Sequence, residues 1–254
     1  MTQYSDWCDP VQIASINGHE AGVIVSNDDS AGIEMIASTL ASKYVQTETL
    51  SAIAQSLDKP LVSEHLKNAF PKKASSRSGD LGEILATAYL EEECDYIVGP
   101  CRLSQRDHQE WAMRGDDVLG AKIDSAGKVN FAKGEAKSRA KTYTKTILEA
   151  REGLQREEGL PSAHSLAQFA SRLIGANEKG LGIAIIRLQG NKGIRPDDVL
   201  NLMFIFTGND PAKFIRTDLE GYTGRIAQLA ITLRVSQHQS FIETVYSKAI
   251  EDGA

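Results

Sequence analysis

Glu135 and Lys137 stand two positions apart in Val129–Lys137, which reads as an extended run whose side chains alternate between the two faces of a β-strand. On a strand Val129, Phe131, Lys133, Glu135 and Lys137 share one face, and Glu135 and Lys137 project side by side about 6–7 Å apart. Upstream, Asp116 and Asp117 open the apolar run Val118–Ile123. Between the two runs lies Asp124–Gly127 (DSAG), a turn sequence. A hairpin about this turn, centred at Ala126, brings Asp117 opposite Glu135. Two carboxylates and an ammonium then meet at one end of a sheet. That set suits a hard divalent cation: Mg²⁺ takes oxygen ligands, usually one or two carboxylates, and leaves its other positions to water and substrate phosphate. A neighbouring lysine can orient a water and offset charge growing on a phosphorus. Taken alone, a Glu-x-Lys pair is an ordinary surface salt bridge. Asp117 in register with it is what points to chemistry.

Glu83 adds a third carboxylate. It lies early on a helix expected from about Gly79 to Glu93, with Ser78 as its cap and Leu81, Leu85, Ala88 and Tyr89 as its apolar stripe. An acidic residue near a helix N-terminus also stabilises the helix without any site.

The elements that must position these residues follow from periodicity. Residues 1–70 read as a mainly helical or mixed accessory region. It has an amphipathic helix over Ala31–Tyr44 and weaker helical patterns at Thr49–Leu57 and Val62–Ala69. The basic, serine-rich Pro71–Arg77 marks a boundary, and residues 71–254 form the second unit. Within it Tyr96–Val98, Val118–Ile123 and Val129–Lys137 read as strands and Leu160–Ile174 as a helix. Gly182–Leu188 and Leu202–Thr207 read as short buried strands, and Tyr222–Ala249 as a helical tail. The expected class is α/β.

Four segments in order, Arg77–Glu83 (RSGDLGE), Arg106–His108 (RDH), Arg114–Gly120 (RGDDVLG) and Gly134–Ser138 (GEAKS), resemble the active-site signature of PD-(D/E)xK nucleases, and more narrowly the HamA family. The resemblance covers roughly residues 70–210. It implies a restriction-endonuclease-like αβββαβ core and a nuclease that serves the Hachiman anti-phage system. By this resemblance Asp117 and Glu135 hold Mg²⁺, or Mn²⁺ in its place, helped by a backbone carbonyl near Ala136. Lys137 orients the attacking water, and Glu83 reaches a metal directly or through water. Asp116-Asp117 stands where the family has Pro-Asp, so either aspartate is the candidate ligand. The register favours Asp117. The resemblance also implies a helicase-like ATPase partner of the HamB type, with the N-terminal region and the C-terminal tail as candidate docking surfaces.

The 254 residues carry 28 Lys+Arg against 34 Asp+Glu, a net charge of −6, which argues against a simple nucleic-acid-coating protein. The segment Cys101–Arg151, however, has a net charge of +4. Arg102, Arg106, Arg114, Lys133, Arg139, Lys141 and Lys145 are candidate contacts to a DNA backbone. His108 and Trp111 are weaker candidates for such contact, and His164 opens the later helix. No phosphate-binding Walker loop is recognisable, so ATP-driven movement must come from another protein. Cys8, Cys94 and Cys101 read as free thiols. With no secretory signal and no membrane-length apolar run, the expected location is the cytoplasm. The leading expectation is a Mg²⁺-dependent DNA endonuclease restrained by a partner. A stand-alone restriction or repair nuclease and a non-catalytic binding module are the alternatives.

Overall fold

Asn17 and Gly18, both at positive φ (53° and 78°), make the tight turn that folds Gln12–Ile16 (β1) onto His19–Val25 (β2). Asn-Gly suits the primed turns that match strand twist. The chain continues through Asp29–Tyr44 (α1), Thr47–Ser56 (α2), Lys59–Ala69 (α3), Ala74–Glu92 (α4), Val118–Ile123 (β3), Val129–Arg139 (β4) and Thr144–Gln155 (α5). It ends with Ala163–Gly175 (α6), Lys179–Asn191 (α7), Val199–Thr207 (β5), Ala212–Gly221 (α8), Ala227–Arg234 (β6) and His238–Asp252 (α9). The structure, a computed structural model, describes residues 2–56, 59–106, 110, 115–191 and 193–252.

The fold is mixed α/β. All the strands lie in one sheet of order β1-β2-β6-β5-β4-β3, parallel from β2 through β4, with antiparallel hairpins at both edges. The hairpin β1–β2 from the expected accessory region therefore shares its sheet with the rest of the chain. Alternate residues of β5 go to opposite layers. Leu202, Phe204 and Phe206 join the core under α1, α4 and α9, while Met203 and Ile205 join the core under α5 and α8. A strand buried on both faces reads as a continuous apolar run.

Three sequence expectations change here. Gly182–Leu188 lies inside helix α7 rather than in a strand, because a short apolar run has no period that separates the two. Tyr96–Val98 forms only the bridge Ile97↔Ala121. The expected helical tail begins instead with β6, a central strand whose two buried faces hide its alternation; α9 follows it. Helix α4 also starts a turn earlier than expected. Glu110 fastens its N-terminal end: the carboxylate accepts from Lys73 N at the cap (3.2 Å) and from Ser76 Oγ in the first turn (3.0 Å). Among the described residues no helix is long and apolar enough to cross a membrane.

Candidate active site

The β3–β4 hairpin turns where its sequence says. Asp124 Oδ1 accepts from Ala126 N and Lys128 N, both at 2.9 Å, and Gly127 takes φ 76°. The register runs from Ile123↔Val129 to Val118↔Gly134, so the next step sets Asp117 against Glu135. On β4, Lys137 Nζ donates to Glu135 Oε1, and Glu135 is buried. Its carboxylate lies against Gly153 of α5, where a Cβ would overlap it. A glycine inside a helix is unfavourable on propensity grounds alone, and here close approach of the carboxylate accounts for it. Burial, and next the charge of Asp117, raise the pKa of Glu135; Lys137 opposes them. Asp117 and Glu135 therefore feel each other as like charges.

Glu83 approaches from α4 on the other side of Asp117. Between them stands Arg102, whose Nη2 is 2.9 Å from Glu83 Oε2 and 3.1 Å from Asp117 Oδ1, with Nε donating to Glu83 at 3.0 Å. Burial pushes the Glu83 carboxyl up to about 8 against the pull of Arg102, and Asp117 and Asp80 add to the rise. Asp116 points elsewhere. It accepts from Ser162 N (2.8 Å) at the start of α6 and faces Lys133 Nζ at 3.4 Å.

The basic candidates divide. Lys133 is 1% exposed and donates to the carbonyls of Arg156 (2.7 Å) and Leu160 (3.0 Å). Arg106 clasps Asp80 at 2.6 Å, and Arg102 is held as above, so these three are not surface contacts as arranged. Arg139, Lys141 and Lys145 are exposed, with Arg139 and Lys145 near Glu149 at 3.8 and 3.9 Å. Arg114, His108 and Trp111 lie outside the described residues. His164 is exposed on α6, and the three cysteines are free thiols.

Among the described residues no three His, Cys, Asp or Glu side chains converge on one metal position. The carboxylates form two neighbouring sets, Glu83–Asp117 around a guanidinium and Glu135 under an ammonium. Their donors are all oxygen, which fits Mg²⁺ or Mn²⁺ rather than a thiolate-seeking metal. Arg102 and Lys137 already bridge or cover these oxygens, so a divalent cation would have to displace them.

Fold and site together define a mixed α/β protein whose sheet-edge hairpin presents a carboxylate opposite a Glu-x-Lys pair. The HamA family model matches residues 3–249, and the chain belongs to that family. It is 25% identical over 182 residues to the Hachiman protein HamA of Bacillus cereus, which is 72% of this chain and 64% of that relative. The chain thus aligns with less than two thirds of the length of that curated relative.

Proposed function

We propose that this protein is a Mg²⁺-dependent nuclease with a restriction-endonuclease-like core, the DNA-cleaving effector of a Hachiman-type anti-phage complex in the cytoplasm. Membership of the HamA family supports the effector role. The observation that carries the chemistry is the β3–β4 register that sets Asp117 against the Glu135–Lys137 pair.

Asp117 and Glu135, with a backbone carbonyl near Ala136, would hold the cation, and Glu83 would reach it directly or through water. A bound Mg²⁺ would supply charge that offsets the carboxylates and acidifies a water. Lys137, held by Glu135, orients the attacking water and places positive charge where the phosphorus gains negative charge. Asp116 is spent on the N-terminus of α6, which favours Asp117 as the ligand from the aspartate pair. Arg139, Lys141 and Lys145, exposed at the end of β4 and the start of α5, are the candidate backbone contacts that remain open to DNA. A helicase-like ATPase of the HamB type would deliver the substrate and restrain the nuclease.

The test is incubation of supercoiled plasmid with the chain, with and without such a partner and ATP. Nicking or linearisation that needs Mg²⁺ or Mn²⁺ and stops with EDTA is expected. Intact plasmid under every condition, or cleavage that persists in EDTA, contradicts the proposal.

A further inference from the structure

Three buried arginines of this protein each clasp a carboxylate: Arg102 with Glu83 at 2.9 Å, Arg106 with Asp80 at 2.6 Å and Arg151 with Asp218 at 2.6 Å. That is the usual state of a charge taken out of water. Arg172, half-buried on α6, departs from it. Among the described residues its side chain makes no ion pair or hydrogen bond, and its Nε is buried without a partner. Its guanidinium stands 5.8 Å from the ring centroid of Phe169.

The position of this uncommitted charge is informative. Arg172 lines the small cavity that also takes in Glu83, Asp117 and Arg102. It equally lines a neighbouring cavity of about 590 Å³, bordered also by Lys43, Glu91 and Ser171, and by Ser42, Thr87 and Ser104, whose hydroxyls donate to backbone carbonyls. That volume is in the range of real ligand sites, and two cations with the Ser171 hydroxyl suit a phosphodiester strand. A carboxylate-lined site repels an incoming phosphate, so a free guanidinium beside it supplies the attraction the carboxylates cannot. The planar fork of arginine matches a phosphate through two parallel hydrogen bonds.

We propose that Arg172 receives a backbone phosphate of the DNA strand next to the one cleaved, and that the strand leaves through the larger cavity past Ser171 and Lys43. The inference rests on the nuclease reading for its substrate. It adds a residue outside the basic segment Cys101–Arg151.

The test is fluorescence anisotropy of a labelled DNA oligonucleotide with the full chain in EDTA, across a salt series, with inorganic phosphate as a competitor. Arg172→Ala is expected to weaken binding about tenfold, as loss of a charged hydrogen bond does, and to lower the salt slope by about one phosphate contact. Arg172→Lys should restore the slope while regaining only part of the affinity. Arg225→Ala, at an exposed arginine paired at 3.5 Å with Asp197, serves as the control and should bind like wild type. Because the Arg172 side chain has no ion pair or hydrogen bond to lose, only its contact with the Phe169 ring, both Arg172 variants should stay folded and melt within a few degrees of wild type. Unchanged affinity and slope in Arg172→Ala, an equal loss in the control, no binding by the wild type, or unfolding of both Arg172 variants overturns the inference. Phosphate that displaces the oligonucleotide equally from wild type and Arg172→Ala also counts against it. Arg172-dependent binding by a protein that never cleaves would contradict the nuclease reading alone. Cleavage by a protein whose binding ignores Arg172 would contradict this inference alone.

Discussion

Arg102 Nη2 lies 3.1 Å from Asp117 Oδ1 while the same nitrogen lies 2.9 Å from Glu83 Oε2, so one guanidinium ties α4 to the start of β3. It holds together two carboxylates that would otherwise repel, and it occupies the oxygens a divalent cation would use. If Asp117 and Glu83 take up a metal as proposed, it would have to compete with Arg102.

That competition predicts the behaviour of Arg102→Ala. Without metal the variant leaves two poorly solvated carboxylates unpaired and should lose about 3 kcal/mol of stability. Millimolar Mg²⁺ should then raise its melting temperature more than it raises that of the wild type, since ligand binding to the folded state stabilises by mass action. Thermal melts with and without Mg²⁺ measure both effects. An equal Mg²⁺ response in the two proteins would mean that Arg102 and the metal do not share ligands.

The two aspartates should separate cleanly. Asp116→Asn weakens the hold on Ser162 N and Lys133, and should cost about 1–3 kcal/mol with Mg²⁺ uptake retained. Asp117→Asn should keep its fold, because Arg102 retains Glu83, and should lose Mg²⁺ uptake. Denaturant unfolding and titration calorimetry on both variants check this; the reverse pattern would make Asp116 the ligand.

The Glu83 carboxyl, pushed up to about 8 by burial, makes both stability and metal binding depend on pH. Below the ordinary glutamate range the folded and unfolded chains both hold its proton. From there up to about 8 only the folded chain does, so stability without metal falls as pH rises through this window. Binding of Mg²⁺ expels the proton, so metal affinity rises with pH over the same window. Calorimetry in buffers of different ionisation enthalpy should register proton release on binding. Glu83→Gln should flatten both profiles, and a wild-type affinity that does not change with pH would contradict the assignment.

How much of this was legible depended on how local the cause was. The register of Asp117 against Glu135 follows from a short turn and strand alternation, both local, and the strands pair as the turn predicts. Asn17-Gly18 carried an equally local hairpin signal that the helical reading of residues 1–70 passed over. Central strands and short apolar runs were harder. β6 is buried on both faces, so its alternation is hidden, and Gly182–Leu188 is too short for its period to separate helix from strand. Charge partners were legible for Glu135 and Lys137, two residues apart on one strand face, and not for pairs distant in the chain. Arg102 and Lys133 look like phosphate contacts in the chain and prove to be inward-facing, because their partners come from segments distant in sequence. Gly153 carried a faint signal, a glycine inside a helix, whose reason is the carboxylate of Glu135 lying across it.

Gly153→Ala tests that last relationship. A methyl group there would displace the Glu135 carboxylate, so the variant should lose about 1–3 kcal/mol of stability and most cleavage activity. An active, stable Gly153→Ala protein would show that Glu135 is free to move from its seat against α5.

The most direct measurement is cleavage of plasmid DNA, with Mg²⁺ and ATP, by this chain together with the helicase-like ATPase proposed as its partner, comparing wild type with the Glu135→Ala, Lys137→Ala double variant. The account predicts cleavage by the wild type and a loss of at least about a hundredfold in the double variant, with its fold and partner binding intact. Undiminished cleavage by the double variant would contradict the assignment of the chemistry to this hairpin.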